Sequence, residues 1–244
     1  MRVGFSEVVE RSGLRKSAIA ERAGVTRATL YRAISETADM RLDTVEEIAL
    51  ACGLQPVLAF EPLSALAAAD AGRVLLEGLE VAGDQAVQAW VNRLNRWAGE
   101  DPLRIAVEAG RASTLLYRRG AIGMRGDISI DRLASAGYAS GEEWALSGSA
   151  ALEAMSGEPE EEPVTVFWTP APRRVCQLLS DTLRIESHGL PASQLIICEP
   201  SVLTLVGASS IGGINLVSPV QAIIDCTGLH DRQRERAVSI AGEW

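Results

Sequence analysis

Residues 26–32 read TRATLYR, which places Arg27, Ala28, Tyr31 and Arg32 on one side of a helix and Leu30 on the other. Guanidinium groups beside hydroxyls and an aromatic ring suit contact with a polyanion, because arginine grips phosphate or the two acceptors of a guanine edge. Other chemistries find less material. The two histidines, His188 and His230, have no metal-ligand spacing, and Cys52, Cys176, Cys198 and Cys226 form no CxxC pair. Cys52, Cys198 and Cys226 lie in apolar runs and read as small core residues. No metal site or disulfide framework is expected, and no cofactor. There is no GxSxG motif. Asp225 and Asp231 are accounted for by a helix-end ion pair as well as by catalysis, so no catalytic residue is assigned.

Charge separates the chain into two parts. The chain of 244 residues carries a formal −9. Residues 11–35 hold six basic side chains against the single acid Glu21, a local +5, whereas residues 61–244 hold 15 basic and 24 acidic residues. An acidic body limits non-specific adhesion and leaves the basic patch free to bind phosphates. With 47% hydrophobic and 23% charged residues the composition is that of a globular protein. No apolar run reaches membrane-spanning length, and MRVGFSEVVERSG does not read as a signal peptide, so no membrane association and a cytoplasmic location are expected.

These side chains need helices to position them. Helices are expected over 6–12, over Arg15–Ala23 with Ala18, Ile19, Ala20 and Ala23 as its apolar side, and after Thr26, which is suited to an N-cap. Gly24 supplies the turn between the last two, and Val25 packs inward. LDTVEEIALACGL predicts a further helix with Leu42, Val45, Ile48 and Ala49 inward, stopped by Gly53, and PVLAF (56–60) an extended segment closing the domain. Residues 63–119 predict two or three Ala- and Leu-rich helices, and MRGDIS (124–129) a turn before another helix. Beyond Trp144, WALSG, VTVFW, LRIES and QLIIC read as strands and SAALEAM and RRVCQLLSD as helices. After the apolar run VLTLVG, a helix opens at Ser218-Pro219 and a charged helix covers 230–243. The acidic run EPEEE (158–162) reads as a solvated loop.

The spacing of Ala20, Gly24, Val25, Leu30 and Ile34 meets the needs of a helix-turn-helix. The segment LRKSAIAERAGVTRATLYRAISETADMRLDTVEEIALACGL resembles the phage-repressor-like (Cro/repressor, XRE) helix-turn-helix family over about residues 5–60. The resemblance implies double-stranded DNA as partner. Carried over by position, it places Thr26, Arg27, Ala28, Thr29 and Tyr31 at base edges or nearby phosphates, Arg32 at a phosphate, and Ser17 near the backbone. Arg27 is the leading base reader, since a bidentate arginine–guanine pair discriminates by about 1–3 kcal/mol. Lys16 stands where that family commonly has glutamine, which favours phosphate clamping. Arg15 is a weaker phosphate candidate, and it reads equally as a solvated helix charge, as Arg22 does. Tyr31 has an alternative role packed at the domain edge.

In the C-terminal half, WALSGSAALEAMSG suggests a strand ending in Gly-Ser at a helix mouth, the arrangement with which nucleotidyltransferases hold nucleotide phosphates. That chemistry also needs carboxylates for divalent metal on the next strand, and VTVFW has none. Ser147, Gly148 and Ser149 therefore read as a strand-to-helix turn, and an active nucleotidyltransferase is disfavoured. The order of a helical DNA-binding module, helical segment, LSGSAAL, VTVFW, LVSPVQAIIDCTG and RQRERAVSIAGEW resembles AbiEi-type antitoxins of type IV toxin–antitoxin systems, over most of residues 100–244. Many members carry a winged N-terminal module, whereas this chain carries a repressor-like one.

The resemblance implies a non-enzymatic autorepressor and antitoxin with a nucleotidyltransferase-like toxin as partner. It would bind an operator with inverted half-sites, as a homodimer or as paired monomers. The alternative is a one-component regulator with a ligand- or nucleotide-binding C-terminal domain. The expected fold is α+β and multi-domain: a helix-turn-helix domain (1–62), a helical connector (63–139) and a mixed α/β domain (140–244) related to a degenerate nucleotidyltransferase fold.

Overall fold

A computed structural model describes residues 5–35, 40–57 and 59–242. Among them are 12 helices and one seven-stranded mixed sheet, an α+β protein in two compact units, residues 1–61 and 62–244.

Unit 1 is helical. Helix α1 (Phe5–Arg11), α2 (Lys16–Arg22), α3 (Arg27–Ile34) and α4 (Leu42–Ala51) close on Val9, Ile19, Ala20, Ala23, Leu30, Ala33 and Ile48. Helix α2 stops because Gly24 takes φ 62°, which lets the Val25 amide turn back to the Ala20 carbonyl at 3.0 Å. Thr26 then accepts from the Thr29 amide at 3.1 Å and starts α3. Leu42 does not point inward as the periodicity predicts. It is 69% exposed, because it opens α4 a full turn and more before the helix meets the core at Ile48 and Ala49. The PVLAF segment pairs with no strand; Pro56, Val57, Ala59 and Phe60 are exposed, and Leu58 lies outside the described residues.

In unit 2, α5 (Leu66–Glu77), α6 (Gln85–Ala98) and α7 (Pro102–Ala112) precede β1 (Ile122–Gly126), α8 (Ile130–Ser140), β2 (Ala145–Gly148) and α9 (Ser149–Ser156). There follow β3 (Thr165–Trp168), α10 (Pro172–Leu179), β4 (Leu183–Ile185), β5 (Leu195–Cys198), β6 (Ser209–Ile211), β7 (Ile214–Leu216), α11 (Pro219–Thr227) and α12 (Asp231–Ala241). The strand order is β4-β1-β5-β3-β2-β7-β6. Strands β3 and β5 run parallel, as do β2 and β7, and the other neighbours are antiparallel. Every residue of β2, β3 and β5 is buried, which is why these strands read as continuous apolar runs rather than as alternation.

One expectation is corrected by long-range packing, and two further segments take their place from it. Residues 124–126, expected in a turn, belong to β1, which pairs with both β4 and β5 and buries Met124 completely. VLTLVG forms turns held by α5. Arg73 donates to the Leu203 carbonyl and, at 2.8 Å, to that of Val206, while Ser201 donates to Asp70 at 2.5 Å. Helices α5, α6 and α7 share a core with α11 and α12, so the segment expected as a connector is built into the body that holds the sheet. No described helix is long and apolar enough to cross a membrane.

Helix α11 is the centre of that body. It is buried from Gln221 to Thr227 and packs on α5, α7, α9, α12 and β2. Such close crossing needs small residues. A Cβ on Gly110 would fall 2.0 Å from Thr227 Oγ1 and 2.3 Å from the Ile224 carbonyl oxygen. Gly110→Ala should therefore force α7 off α11 and lower the unfolding free energy by about 3 kcal/mol in urea titration. An unchanged midpoint would show that the crossing is not close-packed.

Candidate nucleic-acid interface

The first turn of α3 is held by two threonines. The Thr29 amide donates to Thr26 Oγ1, and the two hydroxyls bond to each other at 2.9 Å. Both were expected as contacts; here their hydroxyls are first of all a lock on the start of the helix. From that start Arg27, Ala28, Tyr31 and Arg32 face solvent, with Tyr31 53% exposed, while Leu30 and Ala33 on the other face are buried. Ile34 is half-buried against the same core.

Helix α2 supplies the flank. Arg15 is its N-cap residue and exposed, Lys16 is its first residue and exposed, and Ser17 is half-buried. The Lys16 ammonium lies over the Tyr31 ring, 5.0 Å from its centroid, which joins the two helices on their outer side. Arg11 is neutralised by Glu7. Arg15, Arg22, Arg27 and Arg32 have no carboxylate partner among the described residues. The surface therefore combines unpaired guanidinium groups, an aromatic ring and a rigid helix start.

The Gly-Ser corner of unit 2 is differently made. Gly148 takes φ 72°, and a Cβ there would meet the Val164 carbonyl oxygen at 2.3 Å. Ser149 donates its amide to that carbonyl at 2.9 Å and accepts from the Val164 amide at 2.8 Å through Oγ. The Ser149 amide and hydroxyl at the helix start are thus taken up by the chain's own backbone. The adjacent strand β3 carries no carboxylate.

Sequence reasoning missed the buried partner of this corner. Asp225 is not in a helix-end ion pair. Its carboxylate accepts from Ser147 Oγ at 2.6 Å, Trp168 Nε1 at 2.9 Å and Gln221 Nε2 at 2.8 Å. Burial pushes the Asp225 carboxyl up to about 6, opposed by these three donors and by the Arg118 guanidinium. The only local signal was Gln221 one helical turn before Asp225; the other two donors are 57 and 78 residues away. Asp231, by contrast, does pair with Arg234 on its own helix at 2.6 Å.

Cys176, Cys198 and Cys226 are buried and Cys52 half-buried, all as free thiols, and burial pushes Cys198 up to about 12. In the acidic run, Glu161 and Glu162 are exposed and meet Arg232 at 3.2 and 3.8 Å, while Glu160 turns its carboxylate oxygens inward. Among the described residues no three His, Cys, Asp or Glu side chains are grouped to hold a metal ion. No family model, curated protein or solved structure significantly matches the chain.

The Asp225 carboxyl titrates higher folded than unfolded, so the folded state gains protons between about pH 4 and 6. Its contribution is fully present below the unfolded value and is lost as pH rises through the folded one. Relative to Asp225→Asn, the wild type should lose about 3 kcal/mol of unfolding free energy between pH 4 and 7. A difference that stays flat across this range would contradict the shift.

Proposed function

We propose that the protein is a non-enzymatic, sequence-specific DNA-binding repressor, and that unit 1 is a helix-turn-helix domain whose α3 enters the major groove. The observation that carries this reading is the outward face of α3, with Arg27, Ala28, Tyr31 and Arg32 exposed behind a threonine cap and the two arginines without a carboxylate partner among the described residues. In this reading Arg27 and Tyr31 contact bases, Thr26 and Thr29 fix the helix start and offer their remaining hydrogen-bonding capacity, and Ser17 and Arg32 hold phosphates. Lys16 and Arg15 add positive potential at the edge.

Unit 2 is proposed as the antitoxin body of a type IV toxin–antitoxin operon, with a degenerate nucleotidyltransferase-like fold and no cofactor. Support comes from the AbiEi-like segments LSGSAAL and LVSPVQAIIDCTG, which touch each other in the fold through Ser147 and Asp225. The nucleotide-binding alternative is weakened by the Gly148 corner, which Val164 occupies. The protein would act in the cytoplasm on an operator with inverted half-sites about 34 Å apart, as a homodimer or as paired monomers.

The test is a gel shift with the DNA upstream of the protein's own gene. Arg27→Ala should weaken binding by about 5- to 150-fold, the equivalent of 1–3 kcal/mol. Arg32→Ala should lower the slope of log affinity against log salt by about 0.9, one phosphate contact. The double variant should abolish the shift, and an unchanged affinity would contradict the assignment.

A further inference from the structure

The two ends of the sheet are differently guarded. At one end, β4 contains Arg184 and runs into Glu186, which pairs with His188 at 2.8 Å and Arg125 at 3.7 Å. Charges of this kind discourage a further strand from pairing. At the other end, β6 is Ser209-Ser210-Ile211, uncharged and exposed throughout, with Ile211 58% exposed. Val202 and Val206 are exposed on the segment leading into it.

Strands β6 and β7 form a hairpin around Gly212 and Gly213, at φ 59° and 84°, a two-residue turn of the kind that matches strand twist. Ile211 and Ile214 flank the turn as the hydrogen-bonded pair, so the amide and carbonyl of Ser210 point away from β7. Tyr138 holds the hairpin from outside by donating to the Gly213 carbonyl at 3.0 Å. Beside this edge lies a cleft of about 560 Å³ lined by Tyr138, Glu142, Glu143, Trp144, Ser210 and Asn215.

The cleft selects for positive charge. Helix α8 ends at Gly141, so its negative pole lies against the cleft. Glu142 and Glu143 follow immediately, and neither has a basic partner among the described residues. Two adjacent unpaired carboxylates at a helix C-terminus repel each other and attract a cation. Tyr138, edge-on to Trp144 with ring centroids 5.2 Å apart, adds an aromatic wall.

We propose that the β6 edge is the docking surface for an extended segment of a partner protein, which adds as an eighth strand and places a lysine or arginine in the Glu142–Glu143 cleft. Main-chain bonds to Ser210 supply the register, Ile211 covers the segment's β-branched side chains, and the glutamates select its charge. This interface is independent of DNA reading by α3.

The test uses the full chain and three fluorescein-labelled, amidated peptides: KVTVRVT, the charge-reversed EVTVEVT, and KVTPRPT, whose prolines cannot complete a ladder. Fluorescence anisotropy should give saturable binding of the first at about 10 μM, at least about tenfold tighter than either control. Glu142→Gln with Glu143→Gln should weaken it about tenfold and leave the operator gel shift intact, and Ser210→Pro should weaken it similarly with an unchanged circular-dichroism spectrum. Equal binding of all three peptides, no saturation by KVTVRVT up to about 1 mM, or an unaffected double glutamine variant would overturn the proposal. So would displacement of KVTVRVT by argininamide at matching concentration, which would make the cleft a small-cation site without strand addition.

Discussion

Burying an ionisable carboxyl costs several kcal/mol unless donors surround it, and the body of this protein is arranged so that they do. Asp225 draws one donor each from β2, β3 and its own helix α11. The two bonds from the strands fix how far α11 lies along the sheet, and the Gln221 bond holds the carboxylate on its own helix. The glycine crossing at Gly110 then fixes how closely α7 approaches α11, and Arg73 on α5 fastens the turns at 202–207. Sheet, helical layer and loop are thus tied through one helix. The same geometry closes the corner at Gly148, which makes Ser147 and Ser149 structural hydroxyls rather than ligands for a phosphate.

Unit 1 obeys a different economy. Its core is a few aliphatic side chains, so local chemistry carries a larger share of its definition: Gly24 turns the chain, Thr26 caps α3, and Lys16 rests on Tyr31. Each of these also faces the surface proposed to meet DNA. A cap that fixes the first turn of α3 fixes Arg27 with it, and positioning of this kind decides whether an arginine reads a base or only neutralises charge. The acids described in unit 1 lie chiefly on α1 and α4, and Arg15, Arg22, Arg27 and Arg32 have no carboxylate partner among the described residues.

Elements specified by neighbours in sequence were legible. The α3 start at Thr26, the Ser218-Pro219 opening of α11 and the buried strands β2, β3 and β5 could be read from caps and apolar runs. Elements specified by distant partners could not. Strand β1 carries Arg125 and Gly126, a polar signature that suggests a turn, yet it lies between two strands more than 50 residues downstream. Leu42 satisfies the helical period but precedes the part of α4 that meets the core. The Asp225 network escaped because its donors are a serine and a tryptophan far along the chain. Of the candidate interface, the outward residues were legible. The mutual bond of the Thr26 and Thr29 hydroxyls and the stacking of Lys16 on Tyr31 required coordinates.

The central claim is that α3 reads a base sequence through Arg27. Its most direct test is repeated selection of duplex DNA from a random pool by the full chain, followed by sequencing, with the wild type and Arg27→Gln side by side. One enriched motif with a guanine in each half-site is expected for the wild type, and loss of preference at that position alone for the variant. Enrichment of no motif, or of the same guanine by both proteins, would contradict it.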